Sequence, residues 1–505
     1  WSHTVSTARR FGFFVMTLNP NDSKRYVYDG QSKAFDARNI SVSVKRADGG
    51  QDTVTRTLYS TEQGPVINLS ALNPALGWTA QSAVVIRDVN ALNYRTVRNW
   101  MRWNQAASLD EFARIQREEA AIPWVNTIAA GRGANEVYYA DIGAVPNAPD
   151  ALLASCTTPF SAAAGVAMPR VPVLDGSRSA CNWQSHTDSV QRGTVGVSRM
   201  PSQRRPDYVG NMNDSYWLSN LNAPLSGFPG IFGPAGTQAQ SLRTRLGHTM
   251  AVKRLAGTDG YAGKLATSDI VRQMVLDSRI ESARYKDEVL GLLCAGEGAS
   301  MRTSACAALQ AWDGTGTATS RGSHIWDEFW MNLTDSGVKD SELYTTPFSA
   351  ADPLNTPRGI NSAARAKLAD AFDKAVLTVE ASGIAMTAPR GDVVYLTRGG
   401  KRLPLYGGCG GVGYFTITCS EYRLTDKGYP MDDQPHGNSY MQVVSFPSSG
   451  VEAYSFLTFS LSDDPASAHY GDYSAAYSQK AWVKLPFSES EISSAPGMQT
   501  TRIVE

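Results

Sequence analysis

The chain has 505 residues, more than the ~100–200 residues of an ordinary domain, which predicts two or three lobes. Apolar residues make up 42% of the sequence and charged residues 19%, enough to bury a large core, which excludes extensive disorder. Lys and Arg together number 47, as do Asp and Glu, and this balance argues against nucleic acid or an acidic membrane surface as a partner. No apolar run approaches the ~18 residues of a membrane span.

The first 90 residues are predicted to be rich in β-strands, because short runs of β-branched and aromatic residues are separated by turn signals. These runs are FGFFVMT, ISVSVKR, TVTRTLY and SAVVIRD. From Asn93 the pattern becomes helical, and Ser108 with Glu111 forms a capping box ahead of FARIQREEA. WVNTIAA and EVYYADI flank the turn GRGAN, which predicts a β-hairpin.

The rest of the chain passes from irregular to helical and back to extended sequence. Residues 145–210 are rich in Pro, Ser, Ala and Arg and are predicted to be an extended excursion. Residues 238–335 are predicted to be mostly helical, and 362–381 is the clearest amphipathic helix. After Arg390 the runs DVVYLTR, VGYFTIT, MQVVSF and AYSFLTFS predict strands. This order indicates an α+β architecture, with expected segments 1–145, 146–235, 236–385 and 386–505.

The six cysteines fall into three close pairs along the chain: Cys156 with Cys181, Cys294 with Cys306, and Cys409 with Cys419. None has the C-x2-C spacing typical of zinc sites. Loops of this size suit local disulfides, and a loop of ~15 residues closed by a disulfide contributes ~3 kcal/mol in the chain-entropy model. We therefore expect three disulfides and an oxidising compartment, the periplasm or the exterior, in preference to six buried thiols in the cytosol.

Self-contained catalytic motifs are absent from the sequence. GCGGVG at 408–413 matches G-x-G-x-x-G, but YFTIT follows it and predicts a strand where a dinucleotide site needs a helix. A glycine hairpin fixed by a disulfide is the better interpretation. There is no P-loop, no G-x-S-x-G and no H-E-x-x-H, and the six histidines are scattered.

Longer strings carry more information when they are taken together. In order, they are WSHTV at 1–5, NWMRWNQAASLDEF to IPWVNTIAA within 99–130, YVGNMNDSYWLSNLNAPLSGF at 208–228, and SLRTRL at 241–246. Together with the C-terminal LTFSLSDDPASAHYGDYSAAYSQK, they resemble the penicillin-acylase family of N-terminal-nucleophile hydrolases across essentially the whole chain. Within that family the sequence is most similar to acyl-homoserine-lactone and cyclic-lipopeptide acylases. The resemblance implies an αββα sandwich with a helical insertion, in a chain that lacks its first strands.

The same resemblance implies a function and a partner. Family precursors are cut into a small α chain and a large β chain whose N-terminal Ser is the nucleophile, and WSHTV-like residues lie several dozen positions after that Ser. We therefore expect the α chain and an N-terminal β segment, from the same precursor, as separate polypeptides. The expected substrate is an N-acyl-homoserine lactone. The alternatives are a β-lactam or cyclic-lipopeptide acylase and, from another class, an inactive binding or scaffold protein of the same fold.

Five residues receive roles from the resemblance. The backbone N–H of Val5 and the side-chain amide of Asn213 are expected to form the oxyanion hole. Arg243 is expected to support Asn213 and the amine of the nucleophile. Residues matching Trp100 and Trp124 surround the acyl chain in the family.

Each role has a structural alternative. Asn213 could be a turn residue within NMNDS, Arg245 competes with Arg243, and the tryptophans could be ordinary core residues. Some penicillin acylases bind calcium through Asp residues shortly after the HTV-like stretch. Here residues 6–10 read STARR, without a carboxylate, so no metal and no cofactor are expected.

Overall fold

The computed structural model describes residues 3–71, 77–295, 299–420, 422–433 and 435–503; Trp1 and Ser2 of the WSHTV string lie outside them. The chain divides into two compact units, one that begins at His3 and ends at Ala235 and one that begins at Gly236. Both units contain helices and sheets, so the architecture is α+β as the sequence predicts. In the described part of the chain, no helix has the length and apolar composition needed to cross a membrane. The finer division into four segments stays a prediction.

The described residues of the first unit form two sheets and several short helices. Its strands are β1 (Phe11–Asn19), β2 (Asp22–Tyr28), β3 (Gln31–Ala34), β4 (Asp36–Lys45), β5 (Gln51–Thr61), β6 (Gly64–Ile67), β7 (Ser82–Asp88), β8 (Thr127–Ala130), β9 (Val137–Ala140), β10 (Val173–Asp175) and β11 (Ser202–Arg205). Its helices are α1 (Arg95–Trp103), α2 (Leu109–Glu119), α3 (Asp150–Ser155) and α4 (Pro159–Ala167). The larger sheet has the order β3-β2-β1-β7-β6-β5-β4, with β10 parallel to β1, and the smaller sheet has the order β11-β9-β8.

Strand β1 lies in the middle of the larger sheet and is covered on both faces. Successive side chains of a strand point to opposite faces, so Phe13 and Phe14 enter different apolar clusters. Phe14 packs with Val85 and other buried residues, while Phe13 packs with Val84. This double burial explains the nearly continuous apolar run FGFFVM and anchors the segment that follows Val5.

Two sequence predictions for this unit have different outcomes. The hairpin is confirmed, because β8 and β9 pair antiparallel from Thr127↔Ala140 to Ala130↔Val137. The excursion at 145–210 is only partly extended, since it also contains α3 and α4. Helix α4 begins at a capping box formed by Thr158 and Ser161, with Pro159 in its first turn, and these start signals stabilise a helix in Ala-rich sequence.

The second unit is centred on buried helices. Its helices are α5 (Leu242–Ala256), α6 (Ser268–Met274), α7 (Lys286–Leu293), α8 (Ala299–Ala311), α9 (Ser323–Asp335), α10 (Asp340–Leu343), α11 (Arg365–Ser382), α12 (Arg390–Val393), α13 (Asp472–Ser478) and α14 (Glu489–Ser493). Its strands are β12 (Tyr344–Thr346), β13 (Arg358–Ile360), β14 (Val394–Arg398), β15 (Lys401–Pro404), β16 (Thr418–Ser420), β17 (Tyr429–Pro430), β18 (Pro435–Gly437), β19 (Tyr440–Ser445), β20 (Glu452–Leu457) and β21 (Val483–Leu485). Trp326 and Phe329 of α9 pack in one core with Phe372 of α11, which is the amphipathic helix that the sequence predicts.

The predicted strand VGYFTIT is wrong over most of its length. A 3-10 turn occupies Gly410–Val412, and regular strand begins only at Thr418. Two glycines with positive φ, Gly407 and Gly413, bend the chain, and a Cβ on Gly407 would lie 2.3 Å from the backbone oxygen of Thr416. These contacts fold the segment into a compact loop and override its β-forming composition.

The three expected disulfides are confirmed. Their sulfurs join Cys156 to Cys181, Cys294 to Cys306, and Cys409 to Cys419. The bridges close loops separated by 25, 12 and 10 positions. Each of them therefore constrains one local segment of a single unit.

Candidate active site

The Val5 segment forms an isolated antiparallel bridge with the segment that carries Trp124. The N–H of Ser6 donates to the Trp124 oxygen at 2.9 Å, and the N–H of Asn126 donates to the Thr4 oxygen at 2.8 Å. The bridging residue Val5 is therefore in a non-hydrogen-bonded pair, and its own N–H takes no part in the bridge. That N–H has no hydrogen-bond partner among the described residues, and Val5 is 52% exposed.

Asn213 lies in a tight turn held by the side chain of Asn211. The Asn211 oxygen accepts the backbone N–H of Asn213 at 2.9 Å, and its nitrogen donates to the backbone oxygen of Asp214 at 3.0 Å. Asn213 has φ +73°, a left-handed conformation that Asn tolerates better than most residues. The turn interpretation and the oxyanion interpretation of Asn213 are therefore compatible, because the turn fixes the backbone from which the amide projects.

Thr4 brings the two predicted oxyanion residues together. The nitrogen of the Asn213 side-chain amide donates to the Thr4 hydroxyl at 3.5 Å, and that hydroxyl donates in turn to the Asn211 side-chain oxygen. Since Thr4 directly precedes Val5, the Asn213 amide lies beside the residue whose N–H is outside the bridge. Residues about 200 positions apart in sequence thus meet at one point.

Asn126 connects the Val5 segment to the Asn213 turn. Its amide nitrogen lies 3.1 Å from the Val5 oxygen, 3.3 Å from the Thr4 oxygen and 3.2 Å from the Asn211 side-chain oxygen. Its own oxygen accepts from the buried Tyr139 hydroxyl at 2.7 Å. Asn126 is 6% exposed, so a single buried amide ties the Val5 segment to the Asn213 turn. We call Thr4, Asn126, Asn211 and Tyr139 the amide network.

A buried ion pair fixes the backbone just after Val5. Arg10 lies 2.8 Å from Asp141, and the Ser6 hydroxyl donates to the same carboxylate at 2.6 Å. The Arg10 guanidinium also donates to the backbone oxygen of Ala144 at 2.9 Å. Burial raises the pKa of Asp141 and lowers the pKa of Arg10, and the charge of each partner opposes the shift of the other. The pair therefore depends on both members being present.

The predicted acyl-pocket residues lie on two neighbouring elements of the first unit. Trp124 is half-exposed, and its backbone oxygen accepts the N–H of Ser6, so it lies opposite Ser6 and next to Val125, the bridge partner of Val5. Trp100 lies on α1 and is partly buried. Trp103 stacks on Phe112 with ring centroids 4.3 Å apart, and its nitrogen donates to the Phe112 backbone at 3.0 Å, so it is a packing residue.

Arg243 and its competitor Arg245 both lie in the first turn of α5, in the second unit. Arg245 is buried and donates to the backbone oxygens of Leu354 at 3.1 Å and Pro357 at 3.2 Å, so it stabilises the helical core. Arg243 is less buried, and its side chain passes close to Gly410. Its supporting role stays a prediction.

A cavity of the first unit lies away from these residues. It has a volume of about 550 Å³, lies between α2 and the smaller sheet, and its lining includes Arg117, Tyr138 and Arg204 but neither Trp100 nor Trp124. Its charges are largely paired, since Arg114 and Arg204 contact neighbouring carboxylates. Within the described ranges, no group of three or more His, Cys, Asp or Glu side chains is placed to hold a metal ion.

Comparison with known proteins places the chain in a family. The sequence model of the family described as penicillin amidase matches residues 1–494, nearly the whole chain. The chain belongs to the penicillin amidase family. A solved member of related fold, thermostable penicillin G acylase from Alcaligenes faecalis, superposes with a TM-score of 0.60 over 100% of this chain and 88% of the other, at 14% identity. That likeness concerns the fold, which is the α+β fold expected from the sequence.

Two curated relatives are similar to this chain over its full length. Aculeacin-A acylase of Actinoplanes utahensis is 34% identical over 522 residues, and acyl-homoserine lactone acylase PvdQ of Pseudomonas syringae pv. syringae (strain B728a) is 34% identical over 511 residues. Each alignment covers 100% of this chain and 62% of the relative. The chain therefore spans somewhat less than two thirds of the length of these relatives.

Sequence reasoning did not find the amide network that surrounds the predicted residues in this family member. Asn211 carried a local signal, since an Asn two positions before another residue commonly caps its backbone N–H. Asn126 and Thr4 carried none, because their contacts join segments 85 and 207 positions apart. Only the folded chain shows that these polar side chains meet.

Proposed function

We propose that this chain is the larger part of an N-terminal-nucleophile amidohydrolase that removes an acyl chain from a small amide. The nucleophile is an N-terminal Ser that processing of the precursor exposes. The favoured substrate class is the N-acyl-homoserine lactones. Membership of the penicillin amidase family supports the amide-hydrolysing chemistry.

The proposed reaction uses one residue as both nucleophile and base. An α-amine has a pKa of ~7.7–8.0, against ~10.4 for Lys, so it can accept a proton near neutral pH. The Ser hydroxyl oxygen attacks the amide carbon while its proton passes to the α-amine. The resulting oxyanion needs donors aimed at it, and these are the N–H of Val5 and the amide of Asn213. The C–N bond then breaks as the leaving amine takes the proton, and water hydrolyses the acyl-enzyme.

One observation carries this proposal: the Val5 N–H lies outside its bridge and without a partner among the described residues, beside the Thr4 hydroxyl that contacts the Asn213 amide. A buried N–H normally belongs to a hydrogen-bonded ladder or a cap, whereas an exposed N–H is open to an acceptor from outside the chain. Here the amide network holds two polar donors in adjacent positions without consuming the Val5 N–H. Such an arrangement suits an anion that forms only during the reaction.

Two substrate classes have support from the relatives. One relative is named for acyl-homoserine lactones and another for aculeacin A, at the same identity of 34%. The half-exposed Trp124, in the segment that pairs with the Val5 segment, provides an apolar surface near the proposed oxyanion hole. An apolar site gains ~0.8 kcal/mol per buried methylene, so long acyl chains should be favoured in either class.

We also propose that the enzyme works in the periplasm or outside the cell. The three disulfides support this location, since such bridges persist mainly in oxidising compartments.

A substrate panel tests the function. Native particles would be given a series from butanoyl- to dodecanoyl-homoserine lactone, penicillin G and a cyclic lipopeptide, and release of the free amine would be measured. We expect hydrolysis that rises with acyl length. A mature enzyme that exposes no N-terminal Ser, or one that hydrolyses none of these amides, would contradict the proposal and favour an inactive binding protein.

A further inference from the structure

The glycine motif at 408–413, which does not fit a dinucleotide site, lies against the first turn of α5. A Cβ built on Gly410 would lie 3.7 Å from the Nε of Arg243 and 3.9 Å from its Cδ. A Cβ on Gly413 would lie 3.0 Å from the Cβ of Leu242, closer than such atoms normally approach. Because glycine has no side chain, the backbone of this loop comes close to α5 at both positions. The motif therefore brings backbone into contact with the helix turn that carries Arg243.

The loop that contains this motif is closed by covalent and hydrogen bonds. The disulfide between Cys409 and Cys419 joins its two ends. The N–H of Gly408 donates to the backbone oxygen of Thr416 at 3.0 Å, within the same loop. A disulfide and backbone hydrogen bonds both restrict the conformations that are open to the chain. We call residues 407–419 the cystine loop.

Buried side chains hold the cystine loop from the core of the second unit. Arg390 donates to the backbone oxygen of Gly407 at 2.5 Å and contacts Asp327 at 2.8 Å. The hydroxyl of Tyr414 donates to the same carboxylate at 2.8 Å. Arg390, Asp327 and Tyr414 are 2%, 4% and 0% exposed, so water does not compete for these bonds. The loop is therefore a fixed surface, and the Arg243 side chain is the more mobile partner in their contact.

The position of Arg243 in α5 is disfavoured by the helix dipole. The first turn of α5 contains no acidic residue, and the positive end of the dipole repels a cation there. An arginine side chain also has many rotamers. A support for reacting groups must be held accurately, since an error of ~1 Å can lower a rate by ~10²-fold. Contact with a fixed surface restricts the rotamers of Arg243, so the cystine loop supplies accuracy that the helix alone does not.

From these contacts we infer that the cystine loop positions the Arg243 guanidinium for the proposed reaction, and that Gly410 is the positioning residue at the contact. The inference rests on the proposed function and on the support that Arg243 is expected to give to Asn213. The Cβ position of Gly410 lies between Arg243 and Ile417, whose Cδ1 is 3.5 Å away. The methyl group of Ala fits there at ordinary contact distance. The two further methyl groups of Val would displace the Arg243 stem.

Two neighbouring glycines of one turn provide the test and its control in the mature enzyme. In Gly410→Val we expect kcat to fall by about tenfold or more with KM little changed, because Arg243 supports the reacting groups and does not bind substrate. Gly411→Val is the control, since a Cβ there has nothing within 4 Å and neither glycine has a positive φ. It should keep the wild-type kcat, and Gly410→Ala should keep most of it. Urea unfolding compares the stability of the three variants.

A double-mutant cycle tests whether the loop acts through Arg243. Arg243→Ala removes the guanidinium, and we expect Gly410→Val to cause no further loss of kcat in that background. A merely structural effect of the Gly410→Val substitution would lower kcat by the same factor in both backgrounds. The cycle therefore distinguishes positioning of Arg243 from general packing.

The disulfide of the cystine loop provides a second variant. Cys409→Ser combined with Cys419→Ser opens the loop, and we expect kcat to fall by about tenfold, again only in the presence of Arg243. The matched control is Cys294→Ser combined with Cys306→Ser, which opens a loop of similar length in the same unit, 12 positions against 10. Both pairs of substitutions should lower stability, but the control should leave kcat unchanged.

Three results would each overturn the inference. They are equal kcat values of Gly410→Val and Gly411→Val, full additivity of Gly410→Val with Arg243→Ala, and equal effects of the two disulfide variants on kcat. An active wild type whose Arg243→Ala variant is fully active would also remove the inference, but it would leave the proposed function intact. A wild-type enzyme that hydrolyses none of the test amides contradicts the proposed function itself.

Discussion

The side-chain amide of Asn126 donates to the backbone oxygen of Val5 at 3.1 Å, while its oxygen accepts from the Tyr139 hydroxyl at 2.7 Å. The orientation of the Val5 peptide therefore depends on a residue 121 positions away. Because the amide of Asn126 is buried and fully engaged, it cannot rotate without breaking several hydrogen bonds. Asn126 is thus a positioning residue for the proposed oxyanion hole.

Removal of the Tyr139 hydroxyl should loosen this arrangement. In Tyr139→Phe the buried Asn126 oxygen loses its donor, so we expect the free energy of unfolding to fall by about 1–3 kcal/mol. Turnover of the assembled enzyme should fall by about tenfold, with KM little changed, because Asn126 no longer holds the Val5 peptide rigidly. Urea unfolding and steady-state kinetics measure the two effects.

Tyr138→Phe is the matched control for this experiment. Tyr138 is the adjacent residue of β9 and is equally buried, but its hydroxyl has no hydrogen-bond partner in the described part of the chain. We expect its loss to leave stability and turnover nearly unchanged. Equal effects of the two substitutions would show that general packing, and not the bond to Asn126, is responsible.

Two substitutions of Asn213 distinguish the role of its side-chain amide from the role of its backbone conformation. Asn213→Gly removes the amide but accepts φ +73° without strain, whereas Asn213→Ala adds strain at that conformation. We expect turnover to fall by roughly 10²–10³-fold in both variants, the usual loss for one oxyanion donor, with lower stability only in the Ala variant. Near-normal turnover of Asn213→Gly would exclude the amide from the mechanism.

Low pH should destabilise the loop that contains Asn213, through the carboxylate of Asp207. Burial alone would raise the pKa of Asp207, but the Arg205 guanidinium at 3.0 Å and the donors of Tyr208, Asn222 and Asn220 lower it overall. An unfolded Asp has a pKa of about 3.9, so the carboxylate stabilises the fold above that pH and loses its effect as the pH falls through the lower folded value.

Asp207→Asn measures this contribution. We expect the variant to be about 1–2 kcal/mol less stable than the wild type at pH 7. The difference should shrink below about pH 4, because the wild-type carboxylate is then protonated in the unfolded state, which favours unfolding. Urea unfolding between pH 7 and pH 3 provides the comparison, and a difference that is constant over this interval would show that the charge of Asp207 does not matter.

The Arg10–Asp141 pair should behave as a unit. Asp141→Ala leaves a buried guanidinium without its partner, and we expect a loss of about 3–5 kcal/mol in unfolding free energy. The double variant Arg10→Met with Asp141→Leu removes both charges and should cost less than the single variant. A double-mutant cycle by denaturant unfolding tests this, and strictly additive effects would mean that the two side chains are independent.

Local sequence signals predicted much of the fold. The disulfides follow from cysteine spacing, the β8–β9 hairpin from alternation around GRGAN, and α11 from its apolar face. The strand predicted at VGYFTIT failed because glycine conformations and a disulfide decide that loop, and α4 was missed inside a Pro-rich stretch.

The candidate site was predicted only in part, because most of its contacts are tertiary. The resemblance supplied Val5 and Asn213, but no spacing rule could join Thr4 to Asn211 or Arg10 to Asp141. Buried polar side chains such as Asn126 look like ordinary polar residues until their partners are known.

The pairing register of the bridge at Val5 determines which backbone N–H is available as the proposed donor. Along an extended segment successive N–H groups face opposite sides, so the N–H of Ser6 enters the bridge and that of Val5 does not. Any side chain at position 5 could therefore keep the donor, with proline the exception because it has no N–H. A register slip of one residue against 124–126 would turn the N–H inward and abolish the site, while a slip of two would restore an outward N–H. At position 5 the residue type can therefore change, but the pairing register cannot.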